Sequence, residues 1–166
     1  VASKYPVYYV TGNHEYWLSE EDRKQLFSGM ENCGVVILHN ESVQIEVGES
    51  SFSLIGLDDK SLLNFQLSSI INEEMLNVVL AHEPQYFNNY SSEGADIVFT
   101  GHAHGGQFIL PFIGAVYAPD QGFLPEYTSG TFASGDTTMI VSRGLGNSVI
   151  PVRLFNDPEL VVVTLD

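Results

Sequence analysis

Basic side chains are scarce in this chain. Six Lys and Arg face 21 Asp and Glu, for a formal net charge of −15. A nucleic-acid backbone requires basic patches, so the composition argues against nucleic acid as a partner. Electrostatic docking to an anionic membrane is disfavoured for the same reason. A single cysteine, Cys33, excludes an internal disulfide. There is no apolar run of about eighteen residues that would form a transmembrane helix. A signal-peptide pattern, an internal repeat and a low-complexity tract are likewise missing. The residues also lack a Gly-x-Ser-x-Gly nucleophile elbow. Gly144-Leu145-Gly146 has no third glycine at dinucleotide-binding spacing.

What is present suits one globular α/β domain spanning residues 1–166, with 44% hydrophobic residues and a mean hydropathy of +0.05. Val7 to Val10 reads as a strand running into a loop. Ser19 followed by Glu20, Glu21 and Asp22 marks a helix start, and that helix is expected to carry Leu26, Phe27 and Met30 inward before stopping near Gly34. Val35 to Leu38 is a strand. Ser42 to Val47 and Phe52 to Leu57 alternate around Gly48-Glu49-Ser50, which predicts a hairpin. Leu63, Leu67, Ile70 and Ile71 fall at helical spacing. Asn77 to Ala81 and Ala95 to Phe99 are apolar strands, with a short helix between them near Gln85 to Tyr90. Short β segments follow at Tyr127 to Ala133, Met139 to Ser142 and Leu160 to Leu165.

Histidine is concentrated at strand ends. His14, His82, and the pair His102 and His104 each lie in a loop just after a predicted strand, the position where α/β folds place their sites. In Gly101-His102-Ala103-His104-Gly105-Gly106, an extended backbone would present both imidazoles to one side, and the glycines permit close approach. Neutral imidazole is a common metal ligand, so the pattern predicts a metal site. His39 also ends a strand but lacks the glycine context, and it reads as a surface or core histidine. Arg143 and Arg153 suit either a substrate phosphate or a carboxylate partner. Tyr16 and Trp17 suit either a substrate group or packing beneath their loop.

Gly12-Asn13-His14-Glu15, Leu80-Ala81-His82-Glu83-Pro84 and Gly101-His102-Ala103-His104 together resemble the motif series of calcineurin-like metallophosphoesterases. Gly105-Gly106-Gln107, Ser142-Arg143-Gly144-Leu145-Gly146 and Pro151-Val152-Arg153-Leu154-Phe155 extend the likeness to the bacterial YkuE- and YaeI-type phosphodiesterase branch. The resemblance implies a β-sandwich flanked by helices and a hydrolase with two divalent ions (Mn, Fe or Zn). It further implies that Asn13, His82 and His102 bind one ion, that His104 binds the other, and that His14 is catalytic and faces the substrate. Glu15 takes a position where the family often has Asp; it suits either orientation of a histidine or plain solvation. The implied substrate is a phosphate-ester small molecule or a lipid-linked ester. In so acidic a chain, positive field at a phosphate must come largely from something bound, and metal ions are the natural supplier.

One part of the family pattern does not occur. An Asp-x-His strand end and a Gly-Asp-x-x-Asp or Asn loop would supply most ligands of one ion and the bridging carboxylate, and neither is found in these residues. Gly56-Leu57-Asp58-Asp59 falls after the first histidine motif, out of order. On this alignment the chain corresponds to a C-terminal portion of the domain, truncated at the N-terminus. Such a portion is expected to bind metal weakly, to have little activity alone, and to self-associate through unpaired sheet edges. Relatives in this branch often carry a membrane anchor or export signal upstream, so localisation stays open. The alternative reading is a catalytically degenerate metallophosphoesterase fold serving as a binding module. Retention of His14 argues against it.

Overall fold

A computed structural model describes residues 1–59, 64–147 and 152–165. Its centre is a six-stranded mixed sheet built from β3 (Glu41–Val47), β4 (Ser50–Gly56), β5 (Asn77–Leu80), β6 (Ile97–Thr100), β11 (Gly130–Ser134) and β12 (Thr137–Val141), in the order β11-β12-β6-β5-β4-β3. The β12–β6, β6–β5 and β5–β4 pairs are parallel, while the outer pairs are antiparallel hairpins. The carboxyl ends of β4, β5, β6 and β12 therefore lie along one edge.

Alternation along the strands builds a core on each face. In β4 to β6, Ile55, Val79 and Val98 point one way and are wholly buried with Met139, Phe87 and Tyr90. Leu54 and Val78 point the other way, against Leu38, Tyr8 and Val10. The second face is covered by a short parallel pair, β1 (Val7–Tyr9) and β2 (Val35–Ile37), which forms the start of a second layer. Two helices flank the layers, α1 (Glu20–Asn32) and α2 (Phe87–Ser92). Four short strands, β7 (Ile109–Leu110), β8 (Gly114–Ala115), β9 (Tyr117–Ala118) and β10 (Gly122–Phe123), make two small hairpins beyond β6. The mixed α/β architecture with a central sheet is thus the one the sequence implies. No helix among the described residues is long and apolar enough to cross a membrane.

Three expectations are corrected. The predicted helix through Leu67, Ile70 and Ile71 is only one 3-10 turn, Leu67–Ser69, and Leu63 lies outside the described residues. Leu67 is still buried, so the apolar spacing reflected packing rather than a helix. Leu160 to Leu165 joins no strand ladder; it lays Val161, Val163 and Leu165 along the face lined by Tyr8, Leu80 and Phe99. Helix α1 begins as predicted, with Ser19 Oγ accepting from the Asp22 amide at 3.1 Å. None of its residues is buried, and Leu26 is 38% exposed, so of the three apolar residues expected inward Phe27 and Met30 turn only partly so.

Ile55 is fully enclosed, whereas Val47 on outer strand β3 is 63% exposed. Ile55→Ala is expected to lower unfolding stability by about 2–5 kcal/mol in urea titration, through lost transfer energy and a residual cavity. Val47→Ala should cost under about 0.5 kcal/mol.

Candidate metal centre

The β5–β6 ladder continues past the ends of its strands. The Ala81 amide donates to the Phe99 carbonyl at 3.0 Å, and the Gly101 amide donates to the His82 carbonyl at 3.1 Å. This pairing brings His82 and His102 side by side: His82 Nε2 lies 2.9 Å from His102 Nδ1 and 3.1 Å from Asn13 Oδ1. Gly12 lets the first loop approach so closely, since a Cβ there would stand 2.7 Å from the His82 ring. Two imidazole nitrogens and an amide oxygen thus converge on one point from three loops.

His82 and His104 line one cleft with Gly12, Asn13, His14, Glu15 and Asn147, a space of about 280 Å³. His102 and His104 face this region by a different route from the extended one predicted. Both have left-handed backbones, φ 59° and 48°, around a fully buried Ala103. The loop is propped from behind by Asn156, whose amide donates to the carbonyls of His104 at 2.6 Å and Gln107 at 3.3 Å. Gly105, φ 66°, is required there, because a Cβ would fall 2.2 Å from Asn156 Oδ1. His14 is exposed and stacked on Trp17, with ring centroids 4.2 Å apart. Trp17 is itself 64% exposed, so it does not pack beneath the loop. Glu15 accepts from the Gly12 amide at 2.7 Å and closes the turn; among the described residues it makes no hydrogen bond to a histidine.

Several residues enter that the sequence reading set aside or did not single out. Asp58 is buried and accepts from Thr11 Oγ1 at 2.6 Å, while His39 Nδ1 lies 3.0 Å from both its oxygens. His39 thus meets a carboxylate that also holds Thr11, in the loop leading to Asn13 and His14. Asp120 Oδ2 lies 2.7 Å from His102 Nε2, and the carboxylates of Glu83 and Asp120 and a His102 ring nitrogen all lie within 4.8 Å of one another. Nothing in the local sequence of Asp120 or Asn156 signals these contacts. Arg143 pairs with Glu159 at 3.6 Å, and Arg153 donates to the carbonyls of Arg143, Gly144 and Gly146.

Burial, followed by the neighbouring histidines His102, His104 and His14, holds the His82 imidazole down to about 3. His104 is also lowered, by burial first and then Arg153. Both rings are neutral at pH 7, the form that ligates a metal. Burial and the charges of Asp59 and Asp120 push the Glu83 carboxyl up to about 7. The donors fit a borderline divalent ion, for which two imidazoles and a neutral oxygen are suitable ligands.

Residues 1–106 match the calcineurin-like phosphoesterase family. The chain belongs to that family. Among its relatives, the uncharacterized metallophosphoesterase YkoQ of Bacillus subtilis is 30% identical over 158 residues, covering 94% of this chain and 58% of that protein. The uncharacterized metallophosphoesterase YkuE of the same organism is 34% identical over 119 residues, covering 70% of this chain and 41% of the relative. Phosphodiesterase YaeI of Escherichia coli is 27% identical over 160 residues, covering 96% and 58%. This metallophosphoesterase chain thus spans between 41% and 58% of the length of these relatives. No solved structure matches it.

The His82 shift sets a pH test. Unfolded, the ring titrates near 6.5; folded, near 3. The unfolded chain therefore binds more protons between these values, so stability is full above pH 6.5 and falls as pH drops toward 3. In EDTA, the slope attributable to this ring is expected to be up to about 1.4 kcal/mol per pH unit, and urea titrations of His82→Gln should lack it.

Proposed function

We propose that this metallophosphoesterase hydrolyses a phosphodiester with divalent metal ions, using Asn13, His82 and His102 for one ion, His104 for a second, and His14 at the substrate. The observation that carries this reading is the approach of Asn13 Oδ1 and His102 Nδ1 to His82 Nε2, at 3.1 and 2.9 Å, beside the cleft shared by His14 and His104. Family membership and the named phosphodiesterase among the relatives support it.

The cleft, about 280 Å³ and open to solvent at His14, suits a phosphoryl group with part of one ester arm. When bound, the ions supply charge to polarise the phosphoryl oxygens and lower the pKa of a water. The chain's residues do the rest. His14 donates a proton to the departing ester oxygen, the general-acid role to which an imidazole at the cleft is suited. Trp17, stacked on that ring, holds its plane. Glu15 and Asp58 keep the first loop in register, through the Gly12 amide and through Thr11. Only His104 serves the second ion from this set, so that ion binds more weakly than the first. The substrate class is a phosphate-ester small molecule or a lipid-linked ester, with specificity set by groups around the cleft mouth.

Manganese content and hydrolysis of bis-p-nitrophenyl phosphate test the reading. Residues 1–166 alone are expected to bind manganese weakly and to show little hydrolysis, whereas a chain extended upstream with the Asp-x-His and Gly-Asp-x-x-Asp motifs should bind it and hydrolyse the ester. In that extended chain His82→Ala should remove Mn2+ binding, seen by calorimetry, and with it the stimulated activity. His14→Ala should keep the metal while lowering kcat by about 10²–10⁴-fold, the usual weight of a general acid. Metal bound by that extended chain without any ester hydrolysis would favour the binding-module alternative.

A further inference from the structure

We infer that Asp120 is a positioning residue for this centre, fixing the tautomer and orientation of His102 through a carboxylate–imidazole contact. The inference rests on the proposed metal site and concerns how that site is prepared rather than which residues ligate.

The His102 imidazole has two nitrogens in two environments. Nδ1 points at His82 Nε2, and Nε2 points at Asp120 Oδ2 at 2.7 Å. The His102 side chain is 2% exposed, and that of Asp120 is 59% exposed. A carboxylate is only an acceptor, so the neutral ring must carry its proton on Nε2. The lone pair then sits on Nδ1, aimed at the convergence point. His82 Nε2–H supplies the one proton at that point in the metal-free protein, shared between His102 Nδ1 and Asn13 Oδ1. A metal ion thus meets a His102 that needs no rearrangement. Partners of this kind orient ligating imidazoles and raise their basicity.

The contact is built by the fold. Asp120 has φ 57°, a left-handed conformation rare for a non-glycine residue. It is clamped on both sides: Ala118 is wholly buried in the main core, and Gln121 exchanges two hydrogen bonds with the Tyr127 backbone at 2.8 and 2.9 Å. The Tyr127 ring in turn packs edge-on against Phe87 and Phe132. The turn is thereby pinned to α2 and β11, and its one charged side chain is delivered to a ring eighteen residues away in sequence.

Two variants separate the roles. Asp120→Gly suits φ 57° and removes the acceptor. Asp120→Asn retains an oxygen that accepts from Nε2–H. Long-range ¹H–¹⁵N spectra of the metal-free protein read the tautomer, and calorimetry with MnCl2 reads affinity. His102 is expected as the Nε2–H tautomer in the unaltered protein, as a mixture of tautomers in D120G, and mostly as Nε2–H in D120N. The Mn2+ Kd should weaken about 10–100-fold in D120G and only a few-fold in D120N. An unchanged tautomer in D120G, with Kd within threefold of the parent, overturns the inference. A lower number of ions bound at saturation in both D120N and Glu83→Gln also overturns it, because Asp120 would then be a ligand. If no Mn2+ binds to any form, the functional reading fails, while the tautomer spectra still decide the role of Asp120.

Discussion

Two imidazole nitrogens 2.9 Å apart, on loops from neighbouring parallel strands, are the constraint around which this molecule is arranged. Their closeness follows from backbone geometry before any side-chain preference acts. β5 and β6 pair in parallel, and the pairing runs on through Ala81 and Gly101, so the residues just beyond the strands stay within one strand spacing. The β-branched and aromatic residues that fill both faces of those strands are thus also what holds His82 against His102. Damage to the core would reach the site through the same ladder.

The electrostatic setting follows from that arrangement. Four imidazoles share a small region of an acidic chain, and His82 and His104 are kept neutral by burial together with their neighbours. Carboxylates surround the cluster at a short remove: Asp120 on His102, Glu83 beside it, and Asp58 behind the first loop. Neutral donors in the middle and acids outside suit a cation, whose charge the outer carboxylates compensate without competing for the inner positions. Of the two arginines considered for a substrate phosphate, Arg143 is paired to Glu159, whereas Arg153, though it donates to backbone carbonyls, keeps its charge close enough to His104 to lower that ring.

Much of this was legible in the sequence, for identifiable reasons. The apolar runs at 77–81 and 95–99 read as strands because both faces are buried, and the hairpin about Gly48 showed through its alternation. The loops at 12–15 and 101–106 stood out because histidine and glycine are rarely gathered so densely without cause. The helix expected through Ile70 failed because its apolar spacing served a packed turn, Leu67–Ser69. The strand expected at Leu160 to Leu165 failed because extended, apolar character supports contact with a sheet face as readily as ladder pairing. The reasoning for His102 and His104 assumed extended backbone, whereas the actual turn is left-handed.

By itself, the sequence determined the family and the α/β alternation and singled out the candidate donor side chains, since these depend on residue type and local order. Tertiary structure alone decided which donors meet. It joined Asn13 to His82 across 69 positions, and it set Asp120 and Asn156 behind the ligand loop. Those contacts depend on strand register and on where a turn is pinned, and neither leaves a periodic trace along the chain. A lone Asp in a turn and a lone Asn near the end look like solvated residues until the fold supplies their partners.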